Sequence, residues 1–325
     1  MVTLAAVVMA HQDPQHVRRL IARLGDVPVV LHCDVKTPRE QAREMVRGWG
    51  SRVLAVPRRD GRLSSWSLVR IEMEAVRAAL HRFSADRVAV LSGADYLLCR
   101  PEEVLDRLEP WQDRTCMVNL PVPYRGWDAP RHRDGGMWRM DRRFFVHRDQ
   151  LLTLGSVPLR RPWRRPIPDG LRLRASSQWK VWSRPDAERV LTVLDERPDL
   201  VDFWRTSLVP DETFVASILS SPRITGRPAA PDNHAHVWFQ RWAGGGAYHP
   251  EWLTDEDLPE VERAVRRPGT AAGPQGASGG EAVRPLFARK VSSQRSSGLL
   301  DAVDALVDGG AWTPQVPGPE RGRTG

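Results

Sequence analysis

Apolar positions along the first hundred residues switch repeatedly between two periods. Leu4–Met9 is a short unbroken apolar run, the mark of a buried strand. Residues 14–24 follow with Val17, Leu20, Ile21 and Leu24 at helical spacing. The alternation continues with a strand at Val27–His32, a polar helix over 38–48, a strand at Val53–Val56, a helix over 67–83, a strand at Arg87–Leu91 and a helix starting over Pro101–Leu108. Such an order predicts an α/β fold with a mostly parallel central sheet flanked by helices. Ligands of these sheets gather at the carboxyl ends of the strands. His11 and Asp13 follow strand one, Asp34 and Lys36 strand two, and Ser92, Gly93, Asp95 and Tyr96 strand four, so all are expected along one edge.

The pattern changes after residue 117. Residues 117–175 are rich in Arg, Pro, Trp and Gly and read as irregular or antiparallel structure. Helices are expected over 185–196 and 210–220, an aromatic strand over 234–242, and a helix over Thr254–Val265 capped by Thr254. Residues 267–284 are low-complexity Gly/Ala/Pro and read as a flexible insertion, and the tail 312–325 reads as disordered. The expectation is one domain over 1–311, without internal repeats.

Composition narrows the class. Of 325 residues, 41% are hydrophobic and 27% charged, an ordinary globular balance. No apolar run reaches the roughly 20 residues that span a bilayer, and the opening MVTLAAVVMAHQD lacks the features of a signal peptide, so a cytoplasmic protein without a transmembrane segment is expected. Cys33, Cys99 and Cys116 form no Cys-x-x-Cys pair, which argues against a disulfide framework or a structural zinc. The net charge of +8 suits a phosphorylated small molecule, an anionic surface or nucleic acid. Its densest cluster is Arg160, Arg161, Arg164, Arg165, Arg172 and Arg174, with Trp163 among them; a surface loop, an acceptor contact and a nucleic-acid grip are all readings of it.

Several chemistries are disfavoured by missing motifs. No Gly-x-Gly-x-x-Gly follows strand one, there is no phosphate-binding loop of the Gly-x-x-x-x-Gly-Lys-Ser/Thr type, and no Gly-x-Ser-x-Gly nucleophile turn stands between a strand and a helix, the string of that pattern at 276–280 falling in low-complexity sequence. Asp255-Glu256-Asp257 follows a capping Thr and reads as helix-start acids rather than metal ligands. His234 and His236 lack an evident third ligand. In Pro210-Asp211-Glu212, Pro210 suits a first helical turn, and Phe214, Val215, Ile218 and Leu219 form the apolar face. Glu212 then points away from that face at the helix's positive end, where it stays ionised and either accepts a proton from a bound hydroxyl or merely complements the dipole. If a substrate carries a diphosphate and no metal is present, Leu286-Phe287-Ala288-Arg289-Lys290 offers cations anchored by apolar side chains. Ala175-Ser176-Ser177-Gln178-Trp179 can shape a sugar pocket, and the chain's 13 Trp supply stacking platforms.

In order, Ala10-His11 with Arg18-Arg19-Leu20, Leu31-His32-Cys33-Asp34-Val35-Lys36, Ser64-Ser65-Trp66-Ser67, Leu91-Ser92-Gly93-Ala94-Asp95-Tyr96, Ser176-Ser177-Gln178-Trp179, Pro210-Asp211-Glu212 and Leu286-Phe287-Ala288-Arg289-Lys290 resemble the Core-2/I-branching β-1,6-N-acetylglucosaminyltransferase family, which includes the peptide O-xylosyltransferases, in a bacterial-type form without a membrane anchor. The resemblance implies a GT-A-type fold with a nucleotide-binding half over 1–110 and an acceptor and catalytic half over 111–311. It implies an inverting, metal-independent transfer of GlcNAc or xylose from a UDP-sugar to an acceptor hydroxyl, with no cofactor. Glu212 would be the catalytic base. Val8, His11, Asp34, Arg289 and Lys290 would bind the donor, Asp34 at the uridine and Lys290 at the diphosphate. Asp95, Ser177, Gln178, Trp179, Asp211 and Arg241 would lie near the sugar and acceptor, and Arg241 or Arg289 would stand in for a second diphosphate cation where the family's alignment falls on Tyr248 and His249. Ser176 replaces the family's usual glycine. Two further readings stay open: a nucleotide-sugar-binding protein without transfer activity, and a basic nucleic-acid-binding protein.

Overall fold

The computed structural model describes residues 2–128, 132–235, 237–243, 249–266 and 284–309. Its centre is a five-stranded sheet in the order β6-β4-β1-β2-β3, formed by β1 (Leu4–Ala10), β2 (Val29–Cys33), β3 (Val53–Ala55), β4 (Arg87–Ser92) and β6 (Val181–Ser183). All pairings are parallel except β6 with β4. The expected α/β class with a mostly parallel sheet is therefore what the chain adopts.

The two layers of core follow from the alternation of side chains along β1. Ala6, Val8 and Ala10 face Val17, Leu20, Ile21 and Leu24, mostly from α1 (Pro14–Arg23). Ala5, Val7 and Met9 face the opposite layer, where α3 (Trp66–Phe83) contributes Trp66, Val69, Met73, Val76 and Leu80. α2 (Arg39–Val46) completes the alternation between β2 and β3. Both faces of the sheet are covered, which explains why these strands read as continuous apolar runs.

A second, three-stranded sheet caps the end of the first. β5 (Asp95–Leu97) lies antiparallel to β8 (Phe287–Arg289), which runs parallel to β7 (Trp238–Gln240). Its register sets Arg289 opposite Asp95. Between the sheets' strands in sequence, residues 142–164 form short antiparallel pairs, as the loss of alternation suggested. α4 (Glu103–Arg107), α5 (Arg184–Glu196), α6 (Pro198–Arg205), α7 (Phe214–Leu219), α8 (Leu258–Arg266) and α9 (Ser297–Asp308) surround them.

Three expected elements are redrawn. The helix over 210–220 is instead a 3-10 turn, Pro210–Glu212, then α7; Thr213 breaks it at φ −134°, its hydroxyl donating to the Val209 carbonyl at 3.1 Å. The strand over 234–242 shortens to β7, because Asn233 turns the chain by accepting from the Ala235 N–H at 3.0 Å and Arg241 swings onto Glu251. The C-terminal helix α9 was not foreseen. Its Leu299, Leu300 and Val303 are buried while Asp301 and Asp304 pair with Arg19, at 2.7 and 2.6 Å. Its acidic face depends on α1, distant in sequence. The acids at 255–257 begin α8 as expected, in a capping box of Thr254 and Asp257. His236, Tyr248, residues 267–283 and the tail 312–325 lie outside the described residues.

Candidate functional site

The carboxyl ends of β1 and β2 meet one edge of the molecule, as expected. His11 is exposed at the end of β1, and Asp34 lies buried just past β2. Partial burial of the His11 ring holds it below the usual imidazole range; Lys36 and Arg289 push the same way and Asp34 opposes, so these four groups share one electrostatic neighbourhood. The Asp34 carboxylate accepts from the Lys36 N–H and the Gly61 N–H, each at 2.8 Å. Asp13, in left-handed conformation at φ 55°, accepts from His16 N–H at 3.1 Å and from the Ser293 N–H and hydroxyl at 2.8 and 2.7 Å. That contact ties the segment just after Lys290 to the strand-one edge.

Two of the expected ligand contacts become core instead. Val8 is fully buried beneath α1, so its side chain offers no surface; only the strand end beyond it, from Met9, approaches the edge. Asp95 is also fully buried. It accepts from the Ser92 N–H and hydroxyl at 2.9 Å, from the Trp238 indole at 3.2 Å, and from Arg289 at 2.9 Å. It anchors Arg289 rather than facing a sugar.

Arg289 leans on this anchor and stacks over Trp179, its guanidinium carbon 4.1 Å from the ring. Lys290, the next residue, lies 5.1 Å from the Trp252 ring and has no carboxylate partner among the described residues. Burial, with Arg289 adding, holds its ammonium below the usual lysine range. Arg241 is engaged elsewhere, by Glu251 at 2.8 Å and by Asp257.

The segment Ser176–Trp179 links these cations to the acids. The Ser176 N–H donates to the Glu212 carbonyl at 2.8 Å, and its hydroxyl donates to Val118 at 2.6 Å. Gln178 reaches the Met9 sulfur at 3.8 Å, and Trp179 N–H donates to the Ser177 hydroxyl at 3.2 Å. One four-residue stretch thus touches the Glu212 turn at one end and lies under Arg289 at the other.

Glu212 keeps 39% of its side chain exposed, with Arg139 3.9 Å from its carboxylate. Surrounding protein pushes its carboxyl above the usual range, and Arg139 opposes. Glu212 closes a 3-10 turn rather than opening a long helix, so the shift of its carboxyl comes from desolvation and not from a helix dipole. Asp211 is buried, its Oδ1 without a hydrogen-bond partner, and burial next to Glu212 pushes it up to about 7. Beneath them Lys180 and Glu72 form a buried ion pair at 2.9 Å, and Trp182 donates to the same Glu72 oxygen at 3.1 Å. Sequence reasoning missed Arg139, Lys180 and Glu72. None sits in a motif; only the fold brings them to the turn. Among the described residues no three His, Cys, Asp or Glu side chains are gathered as a metal would require.

The sequence model of the Core-2/I-branching enzyme family matches residues 29–262. The chain belongs to that family. It is accordingly a glycosyltransferase, acting between a nucleotide-sugar donor and an acceptor. No curated protein sequence gives a significant match. Among solved structures, the chain is similar to a candidate glucose-1-phosphate thymidylyltransferase from Bacillus anthracis in complex with a sucrose, at 9% identity over 60% of this chain and 76% of that one (TM-score 0.29). It is also similar to S. aureus TarS 1-349, at 13% identity over 81% of this chain and 64% of that one (TM-score 0.33). No helix among the described residues is long and apolar enough to cross a membrane.

Proposed function

We propose that this family member transfers a sugar, GlcNAc or xylose, from a UDP-sugar to an acceptor hydroxyl with inversion and without a divalent metal. The observation that carries the reading is the span of Ser176–Trp179, from the Glu212 turn to Arg289 and its neighbour Lys290. A transfer of this kind needs a base and a cation on opposite sides of one sugar. The acceptor oxygen attacks the anomeric carbon from the face away from UDP. A new C–O bond forms, the bond to the diphosphate oxygen breaks, the hydroxyl proton passes to Glu212, and the departing negative charge develops beside Lys290. Single displacement inverts the anomeric centre. Holding the three groups in line is the larger catalytic effect, and the fixed cation supplies what a metal would otherwise provide. A base pushed above the ordinary carboxylate range is better matched to neutral pH than an unperturbed one. His11 and Asp34 at the strand ends fit the uridine, and Gln178 and Trp179 fit the transferred sugar.

A thermal-shift screen tests the donor. UDP-GlcNAc or UDP-xylose at about 100 times its dissociation constant stabilises the fold by roughly 2.7 kcal/mol. No stabilisation by UDP or either sugar nucleotide at millimolar concentration overturns the assignment.

A further inference from the structure

The arginine-rich hairpins over 142–164 supply none of the residues of the proposed donor and base site. Their strands are stitched into one unit by three backbone bonds: Phe145 N–H to Leu159 O at 2.9 Å, Leu152 N–H to Phe145 O at 2.8 Å, and Leu159 N–H to Leu152 O at 2.9 Å. Phe145, Leu152 and Leu159, held side by side, are all exposed, as are Leu154 at 76%, Val157 at 63% and Trp163 at 61%. Six exposed large apolar side chains on one ordered unit far exceed the scattered singles of an ordinary surface.

The charge of the unit is equally one-sided. Residues 142–164 hold six arginines, at 142, 143, 148, 160, 161 and 164, against one carboxylate, Asp149. Asp149 is itself held by Arg70 and Arg205 from outside the unit, at 2.9 and 2.8 Å. Arg142 and Arg164 pair with Asp141, and Arg143 with Asp202. Arg148 and Arg161 are exposed and have no carboxylate partner among the described residues, and Arg161 lies 5.8 Å from the Trp163 ring.

We infer that this unit docks the protein on the surface of an anionic phospholipid bilayer. Leucine, valine and the tryptophan and phenylalanine rings enter the boundary between headgroups and acyl chains, and the arginines meet lipid phosphates. The aliphatic side chains argue against nucleic acid, since Leu152, Leu154, Val157 and Leu159 offer bases no aromatic face. The arginines argue against a second copy of the same surface, which would bring like charges together. The unit is fixed to the catalytic side of the molecule. Ser67 N–H donates to Asp149 O at 3.0 Å, Leu151 N–H to the Ser65 hydroxyl at 3.1 Å, and Phe144 N–H to Thr206 O at 2.9 Å, six residues before Glu212. Docking would hold the turn that carries Glu212 close to the bilayer.

Co-sedimentation of the full chain with vesicles tests this. Vesicles containing phosphatidylglycerol pull the protein down at low salt, vesicles of phosphatidylcholine alone bind at least ten-fold less, and 0.5 M NaCl releases most of it. The triple substitution Leu154→Ser, Val157→Ser and Trp163→Ser, and separately Arg148→Glu with Arg161→Glu, each lower binding by ten-fold or more with an unchanged melting temperature, since all five side chains are exposed. A polarity-sensitive fluorophore on Leu154→Cys shifts blue with anionic vesicles. No binding to anionic vesicles, binding indifferent to both substitution sets, or a fluorophore left in water overturns the inference. So does self-association abolished by the triple substitution, or affinity for an RNA or DNA oligonucleotide in place of vesicles.

Discussion

The N–H of Ser176 donates to the carbonyl of Glu212 at 2.8 Å, so the segment proposed to shape the sugar pocket and the proposed base are held by one backbone bond. The Ser176 hydroxyl finds a built partner in the Val118 carbonyl at 2.6 Å. Ser176→Gly removes that side-chain bond and keeps the backbone one. The expected loss is about 1 kcal/mol of stability in urea unfolding, with turnover changed less than ten-fold. A collapse of turnover at unchanged stability would show that the serine does more than anchor the segment.

Asp211 makes stability fall with pH over a defined window. Its carboxyl is pushed up to about 7 in the folded chain, against an ordinary 3.8. Between these values the native state keeps a proton that the unfolded chain releases, so stability declines as pH rises from about 4 to 7 and the loss is complete above. Asn cannot ionise. Asp211→Asn is therefore more stable than the wild type at pH 8, by about 1 kcal/mol or more, and the advantage disappears near pH 3.5. Equal unfolding midpoints for the two proteins at pH 8 would refute the buried-acid account.

Arg289 and Lys290 are adjacent yet are expected to fail differently. Asp95→Asn removes the buried charge that pairs with half-buried Arg289, and the expected cost is about 3 kcal/mol of stability. Lys290→Met touches no ion pair among the described residues, so its melting temperature stays near the wild-type value while UDP affinity falls at least ten-fold by calorimetry. Unaltered UDP affinity in Lys290→Met would remove this residue from the diphosphate site.

Chelation separates the two ways of balancing a departing diphosphate. With protein cations doing so, transfer measured in millimolar EDTA matches transfer without it, and added manganese changes neither. Activity lost to EDTA and restored by manganese would reject the metal-free reaction.

Much of the fold was legible because β1, β2 and β4 are buried on both faces and α1 carries a clean apolar stripe; local pattern alone specifies such elements. The edge residues His11 and Asp34 followed from the strand ends. Asp95 and Val8 were misplaced because sequence position near a strand end does not say which way a side chain points: Asp95 turns inward to Ser92, Trp238 and Arg289, and Val8 packs beneath α1. The break at Thr213 was invisible because it depends on a hydroxyl bond to Val209, whose own left-handed φ of 55° no pattern foretells. Arg139 and the Lys180–Glu72 pair reach the Glu212 turn only through tertiary packing.

The most direct test is single-turnover transfer from UDP-GlcNAc and UDP-xylose by Glu212→Gln, with UDP binding followed in parallel. The expected result is turnover lowered by about 10²-fold or more with UDP affinity unchanged, the scale of a lost general base. Near-wild-type turnover by this variant would contradict the assignment of Glu212 as the base.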